Sequence, residues 1–435
     1  MLKQPNFKTF TFYTLISNLL IYLLQFYFFR ENVNYYLCTD IKSYNLVLFS
    51  RKFEYIYPES CDLNAYLQGV LNIQNFYNQI DYVYFDRPLF IFYISFFYIV
   101  LELVLSPFPL TPLVLIKASF FLGQLFLTSL ICVCIYKIFE SVKIDSNNLY
   151  FSLPWMVSIS PMFKWHIYES TSMTFTFLIF LLGIYLVINL DKLNQKTYFF
   201  LIGILFLIHR SAALIILFAF IYALFTKKLD LKFVKNLLVF IAPIFLHFSI
   251  LFFYTGYSDH QAQGYRQFIW IIDFIQGKET IIGGYFCQSP RQALVCYKND
   301  LISLIKYLFI PVVFLILNFL TNFRLIILRY KKFLISSISF ALLIHSFWLF
   351  IGWYPPVRFS YYGLGNLIIF SLIISYVLID NKNLKKIFFL AYSFYFLFLN
   401  HWNYPEILKI NSFLIISAFL FLTTLLLNYQ KTNKI

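Results

Sequence analysis

The sequence predicts an all-α, polytopic membrane protein with about twelve crossings, and three observations predict it. Hydrophobic residues make up 61% of the chain and charged residues 12%, where a soluble domain carries about 25% charged. Apolar runs of about 18 residues or more recur along the chain, each long enough to cross a hydrocarbon core of about 30 Å. The net charge of +15 is spread over short loops between those runs rather than gathered into one patch. Lys227, Lys228, Lys232 and Lys235 form one such loop, Arg324, Arg329, Lys331 and Lys332 another, and Lys382, Lys385 and Lys386 a third. That pattern marks cytoplasmic loops and argues against nucleic acid as a partner. Lys3, Lys8, Lys431 and Lys434 place both termini on the cytoplasmic side by the same rule.

Taken in order, apolar segments fall at 7–29, 88–106, 112–137, 149–162, 172–190, 198–209, 211–225, 234–254, 301–327, 333–353, 359–379, 386–400 and 411–428. The first is too long for a signal peptide and lacks its small-residue cleavage site, so it is expected as a retained span. The number of segments is odd while both ends carry the inside charge, so one segment does not cross. Counting back from the C-terminus keeps Lys137–Lys143 inside, and counting forward keeps the 30–87 loop outside. Only 88–106 can absorb the difference, as a re-entrant or interfacial helix. The alternative is a single broken span over 198–225, which would put Lys137–Lys143 outside. Several segments are short for the bilayer, so their outer ends are expected to stop below the surface and line a wet vestibule. The 30–87 loop, Lys164–Ser172, His209-Arg210, the 255–300 loop and the loop around Arg358 would face it.

The first outer loop is the most informative stretch. Leu63, Tyr66, Leu67, Val70 and Leu71 follow the spacing of one helical face, with Asn64, Gln68, Asn72 and Gln74 between them. This predicts a helix lying on the membrane surface, capped by Asp62. Asp86-Arg87-Pro88 then opens a wholly apolar helix, where proline suits the first turn. Cys38 and Cys61 share this loop and Cys287 and Cys296 share the 255–300 loop, so a disulfide is expected in each, in an oxidising compartment. Cys132 and Cys134 fall inside an apolar span. The sequence holds no Gly-rich phosphate loop, no CxxC pair and no HExxH. His166 and Glu169 stand three apart, too little for a metal site, and neither metal nor cofactor is expected.

These motifs together resemble the GT-C superfamily of membrane glycosyltransferases, such as dolichyl-phosphate mannosyltransferases and the aminoarabinose transferases of lipid A. In that superfamily the first outer loop carries an acidic residue beside a juxtamembrane helix, followed by a basic-Pro-hydrophobic step. Asp62, Tyr66 and Arg87-Pro88-Leu89 are similar to that arrangement. Ser160-Pro161 followed by Tyr168-Glu169-Ser170 resembles the second outer loop, and Ile208-His209-Arg210 the basic junction between two short helices. The 255–300 loop, with His260 and Arg266, has its counterpart as well. The usual acidic pair is absent, since Leu63 follows Asp62, and Asp40 with Tyr44 repeats the Asp-x-x-x-Tyr spacing closer to the first span. The resemblance divides the chain into a catalytic membrane module over 1–300 and C-terminal transmembrane helices over 301–435.

The resemblance implies transfer of a sugar from a polyprenyl-phosphate donor to a glycan, lipid or protein acceptor on the exoplasmic side. That side would be the periplasmic face of an inner membrane, or its equivalent. A carboxylate would take the proton of the acceptor hydroxyl, with Asp62, Asp40 and Glu169 as the catalytic candidates. Arginine would hold the departing phosphate, with Arg87, Arg210, Arg266 and Arg358 as candidates and Tyr66, His166 and His260 beside them. Two other classes fit the same layout: an O-antigen-type polymerase or ligase, and a lipid or solute transporter.

Overall fold

The structure, a computed structural model, describes residues 6–28, 41–48, 51–58, 69–71, 73, 87–144, 149–164, 172–255, 276, 290–351, 363–399 and 412–432. Helix α1 spans Phe7–Phe28, opened by the Asn6 side chain, which accepts from the Thr9 N–H at 3.0 Å. Two strands follow, β1 (Ile41–Leu48) and β2 (Arg51–Pro58). Then come α2 (Pro88–Leu105) and α3 (Pro112–Ser141), joined by a short turn. Helices α4 (Ser152–Ser158) and α5 (Pro161–Lys164) are brief. A 3-10 turn at Ser172–Thr174 leads into α6 (Phe175–Ile188), which is followed by α7 (Gln195–Phe206). A second 3-10 turn, Arg210–Ala212, opens α8 (Ala213–Phe225), followed by α9 (Leu231–Leu238) and α10 (Ile241–Thr255). The chain closes with α11 (Pro290–Thr321), α12 (Phe323–Ile351), α13 (Leu364–Leu378), α14 (Lys382–Phe398) and α15 (Ser412–Thr432).

This is an integral, multi-pass membrane protein with an all-α body. Among the described residues five stretches are long and apolar enough to cross a bilayer: Phe7–Leu24, Pro88–Leu105, Val114–Ser141, Leu231–Phe253 and Ser412–Gln430. The count is below the expected twelve among the described residues, where α6, α7, α8 and α13 are apolar but shorter. Large apolar side chains on the outside, such as Leu103, Phe225, Phe253 and Leu328, form a lipid-facing belt rather than an aggregation surface. Aromatic rings fill the centre. Phe340 of α12 lies between Phe218 of α8 at 4.6 Å and Phe180 of α6 at 6.2 Å. Gly183 makes this approach feasible, since a methyl there would run into the Phe340 ring.

One two-stranded pair, β1–β2, accompanies the all-α body. It is antiparallel, with Tyr44 opposite Tyr55 and Leu46 opposite Phe53. Tyr44 thus sits on a strand. Of the expected surface helix, residues 69–71 are described, and they are helical with Val70 buried and Leu71 exposed.

Two long-range contacts locate one common end of the bundle. The Asn189 side chain, just past α6, donates to Ser141 Oγ at the end of α3 at 3.1 Å. Lys228 Nζ, after α8, reaches Asp191 Oδ1 at 2.6 Å. The second contact also settles the 198–225 segment. Asp191 precedes α7 and Lys228 follows α8, so the two helices return to the same end as a hairpin and do not form one broken span. Lys332 joins this end, its ammonium 5.5 Å from the Tyr222 ring. Lys137 near the end of α3, Lys227 and Lys228 after α8, Lys232 and Lys235 of α9 and Lys331 and Lys332 of α12 therefore share a single face of the molecule, the lysine end.

Candidate functional site

The site is built where the helices from the lysine end stop. Helices α6, α7 and α8 contain 14, 12 and 13 residues, about 21, 18 and 20 Å at 1.5 Å per residue. Their far ends therefore lie roughly 10 Å short of a hydrocarbon core of about 30 Å. Leu207–Arg210 closes α7, and His209 opens the 3-10 turn before α8, its ring Nδ1 accepting from the Ser211 N–H at 3.3 Å. The Ser211 hydroxyl meets the same nitrogen at 2.6 Å. His209 and Ser211 are both buried, while Arg210 between them is partly exposed.

The start of α2 is brought to this junction. The Leu89 N–H donates to the Leu207 carbonyl at 3.2 Å, a bond between segments far apart in the chain. Arg87, whose carbonyl accepts from Phe90 and Ile91, stands at the head of the helix with Pro88 in its first turn. Its positive charge is close enough to act on the His209 ring. Phe90 and Tyr93 pack on Phe175, the first residue of α6, at 6.3 and 5.6 Å. Arg87, His209 and Arg210 thus converge at the sunken ends of α6, α7 and α8.

Helix α2 then runs away from the lysine end. Tyr93 Oη donates to the Gly123 carbonyl at 2.5 Å, and Gly123 has Ile94 and Tyr93 against its Cα hydrogens. Residues 93–97 of α2 therefore lie beside the first half of α3, and the second half of α3 accompanies α6 to the lysine end. The wall of the site is the α2–α3 hairpin, rising from a floor made by three short helices.

A buried cation lies near this depth. Lys164, at the end of α5, follows Phe163, which packs on Phe177 at 5.9 Å. Its ammonium donates to the carbonyls of Phe396, Leu397 and Leu399 at 2.5, 3.3 and 2.8 Å. These are C-terminal carbonyls of α14, which have no acceptor role inside the helix and sit at its negative end. Three ammonium protons meet three carbonyl oxygens. The sequence holds a signal for this residue, because Lys164 is a cation on the side opposite the lysine-rich loops. Only the fold shows what it binds.

Of the residues proposed from sequence, Arg87 and Arg210 are described, one at the head of α2 and the other at the α7–α8 junction to which that head is bonded. Asp40, Asp62, Tyr66, His166, Glu169, His260, Arg266 and Arg358 lie outside the described residues, as do Cys38, Cys61 and Cys287. Cys296 falls within α11, and Cys132 and Cys134 are buried free thiols in α3. No protein-family model matches the chain, and neither does any curated protein or solved structure. The class the fold defines is thus an α-helical, multi-pass membrane protein with a recessed basic junction.

Proposed function

We propose that the protein is a membrane glycosyltransferase that moves a sugar from a polyprenyl-phosphate donor to an acceptor on the exoplasmic side. One observation supports this reading above the rest. The head of α2, which carries Arg87, is bonded to the junction that carries His209 and Arg210, more than a hundred residues on, at the ends of helices too short to cross the bilayer. An arginine at that depth is costly unless it faces a polar cavity or an anion. A lipid phosphate enters from the bilayer side and presents its charge at that level. Guanidinium groups fit it and stabilise the charge that grows on it as the sugar leaves. Asp62, one loop away from Arg87, would take the acceptor proton, with Glu169 positioning the acceptor. The GT-C likeness supplies the reaction type, and about twelve crossings with a re-entrant α2 supply the arrangement. The helix α2 leading away from the lysine end suits that re-entrant role.

Incubating the purified protein with a labelled polyprenyl-phosphate monosaccharide and a lipid or glycan acceptor tests the reading. Transfer of the single sugar is the expected result. Transfer of a whole glycan block from a diphosphate lipid would favour the polymerase or ligase class, and uptake without turnover a transporter. Sidedness has its own check. A reporter fused after Lys143 is expected in the cytoplasm and one after Tyr168 outside. The reverse result would move Arg210 to the wrong face for this chemistry.

A further inference from the structure

At the lysine end a cleft of about 690 Å³ opens between the start of α7 and helix α9. Asp191, Asn194, Gln195, Lys196, Lys228 and Lys232 line it, and their charges are not balanced once internal bonds are counted. Lys228 is committed to Asp191 at 2.6 Å, and this partnership holds the Asp191 carboxyl below the usual carboxylate range. Asp230, at the rim, is committed to capping α9, where it accepts from the Phe233 N–H at 2.6 Å. Asn236 donates to Gln195 Oε1 at 3.2 Å and ties the two walls together. Lys196 on one wall and Lys232 on the other have no ion pair among the described residues. The remaining charge in the cleft is therefore positive.

The position of α9 says what meets that charge. Leu231 and Leu238 are 70% and 53% exposed, Phe233 is buried, and Lys232 and Lys235 are exposed. Helix α9 opens the Leu231–Phe253 stretch that is long enough to cross a bilayer, so its exposed leucines meet lipid while Lys232 and Lys235, in its first two turns, stand at headgroup level. Positively charged ends face the leaflet richer in anionic lipid. Lysines act on phosphate as compact charges, and the first-turn N–H groups of α7 add the positive end of that helix. We infer that this cleft binds the phosphate headgroup of an anionic phospholipid, with Lys196 and Lys232 as its two cationic walls. The inference is independent of the sugar-transfer reading, since it concerns the opposite end of the molecule.

Native mass spectrometry of the full-length protein, released from detergent with phosphatidylglycerol or phosphatidylcholine added, tests it. Retention of phosphatidylglycerol in preference to phosphatidylcholine is expected. The Lys196→Gln, Lys232→Gln double variant should weaken that retention about thirtyfold, from two lysines at roughly one kcal/mol or slightly more each. The Lys382→Gln, Lys386→Gln variant loses the same charge from exposed positions on another loop of the chain and should retain the lipid as the parent does. Equal retention of both lipids would overturn the inference. Equal weakening in the two double variants would overturn it too, because the effect would then be general surface charge. Displacement of the lipid by inorganic phosphate at comparable concentration would replace the lipid with a free anion as ligand.

Discussion

Replacing Arg210 with glutamine is expected to cut sugar transfer by about a hundredfold or more, the usual cost of removing one preorganised group from a developing charge. Glutamine keeps polarity and reach but loses the fixed positive charge. Arg87→Gln should cost a similar factor. The double variant should fall short of the product of the two, because both guanidinium groups would serve one phosphate. The carboxylate partner is tested in the same assay. Asp62→Asn keeps the capping oxygen, since asparagine caps about as well as aspartate, and should lose about a hundredfold as a missing general base. Asp40→Asn should leave transfer near the parent rate. Loss of transfer in Asp40→Asn with Asp62→Asn active would make Asp62 a helix cap and move the base to the loop that carries the β1–β2 hairpin. If Arg210→Gln and Arg87→Gln both transfer normally, the basic junction has no part in the chemistry.

Lys164→Met should destabilise the fold by about 3 to 5 kcal/mol, as the loss of one partner from a buried charged arrangement does. Methionine fills most of the space, so packing changes little. What disappears is the donor for three carbonyls at the end of α14, each left without a partner in the interior. Thermal unfolding in detergent reads the effect directly, as a transition lowered by several degrees. Lys164→Arg keeps the charge and donors in a bulkier shape and should recover part of the loss. An unchanged transition in Lys164→Met would mean that the three carbonyls find other partners and that the ammonium is not what ties α5 to α14.

The two ends of the protein differ in how they handle charge. The lysine end carries exposed ammonium groups, some of them paired, as Lys228 is with Asp191 and Lys137 with Glu140. Away from it, Lys164 is buried against carbonyls and Arg87 is partly buried at the head of α2. Exposed lysines fix orientation in the membrane, whereas cations at depth persist only where something compensates them. That asymmetry is why the recessed junction is read as the site of chemistry and the lysine cleft as a lipid contact.

Local sequence determined the membrane class, nearly all the helices and the lysines that mark one end. Apolar run length and loop charge are properties of neighbouring residues, and the bilayer imposes them one segment at a time. The Pro88 start of α2 and the break between α7 and α8 were legible for the same reason. The hairpin at 41–58 was legible in principle, through alternation in Lys42, Tyr44, Leu46 and in Phe53, Tyr55, Tyr57, but its pairing depends on register across two strands. The tertiary structure alone decided the rest. Lys164 meets acceptors 232 to 235 residues further on, and Leu89 meets Leu207 through a backbone bond that no side-chain pattern encodes. Which distant segments share a depth is settled by packing of whole helices, Gly183 against Phe340 and Tyr93 against Gly123 among them. Sequence periodicity tells which face of a helix is apolar, not which other helix will cover it.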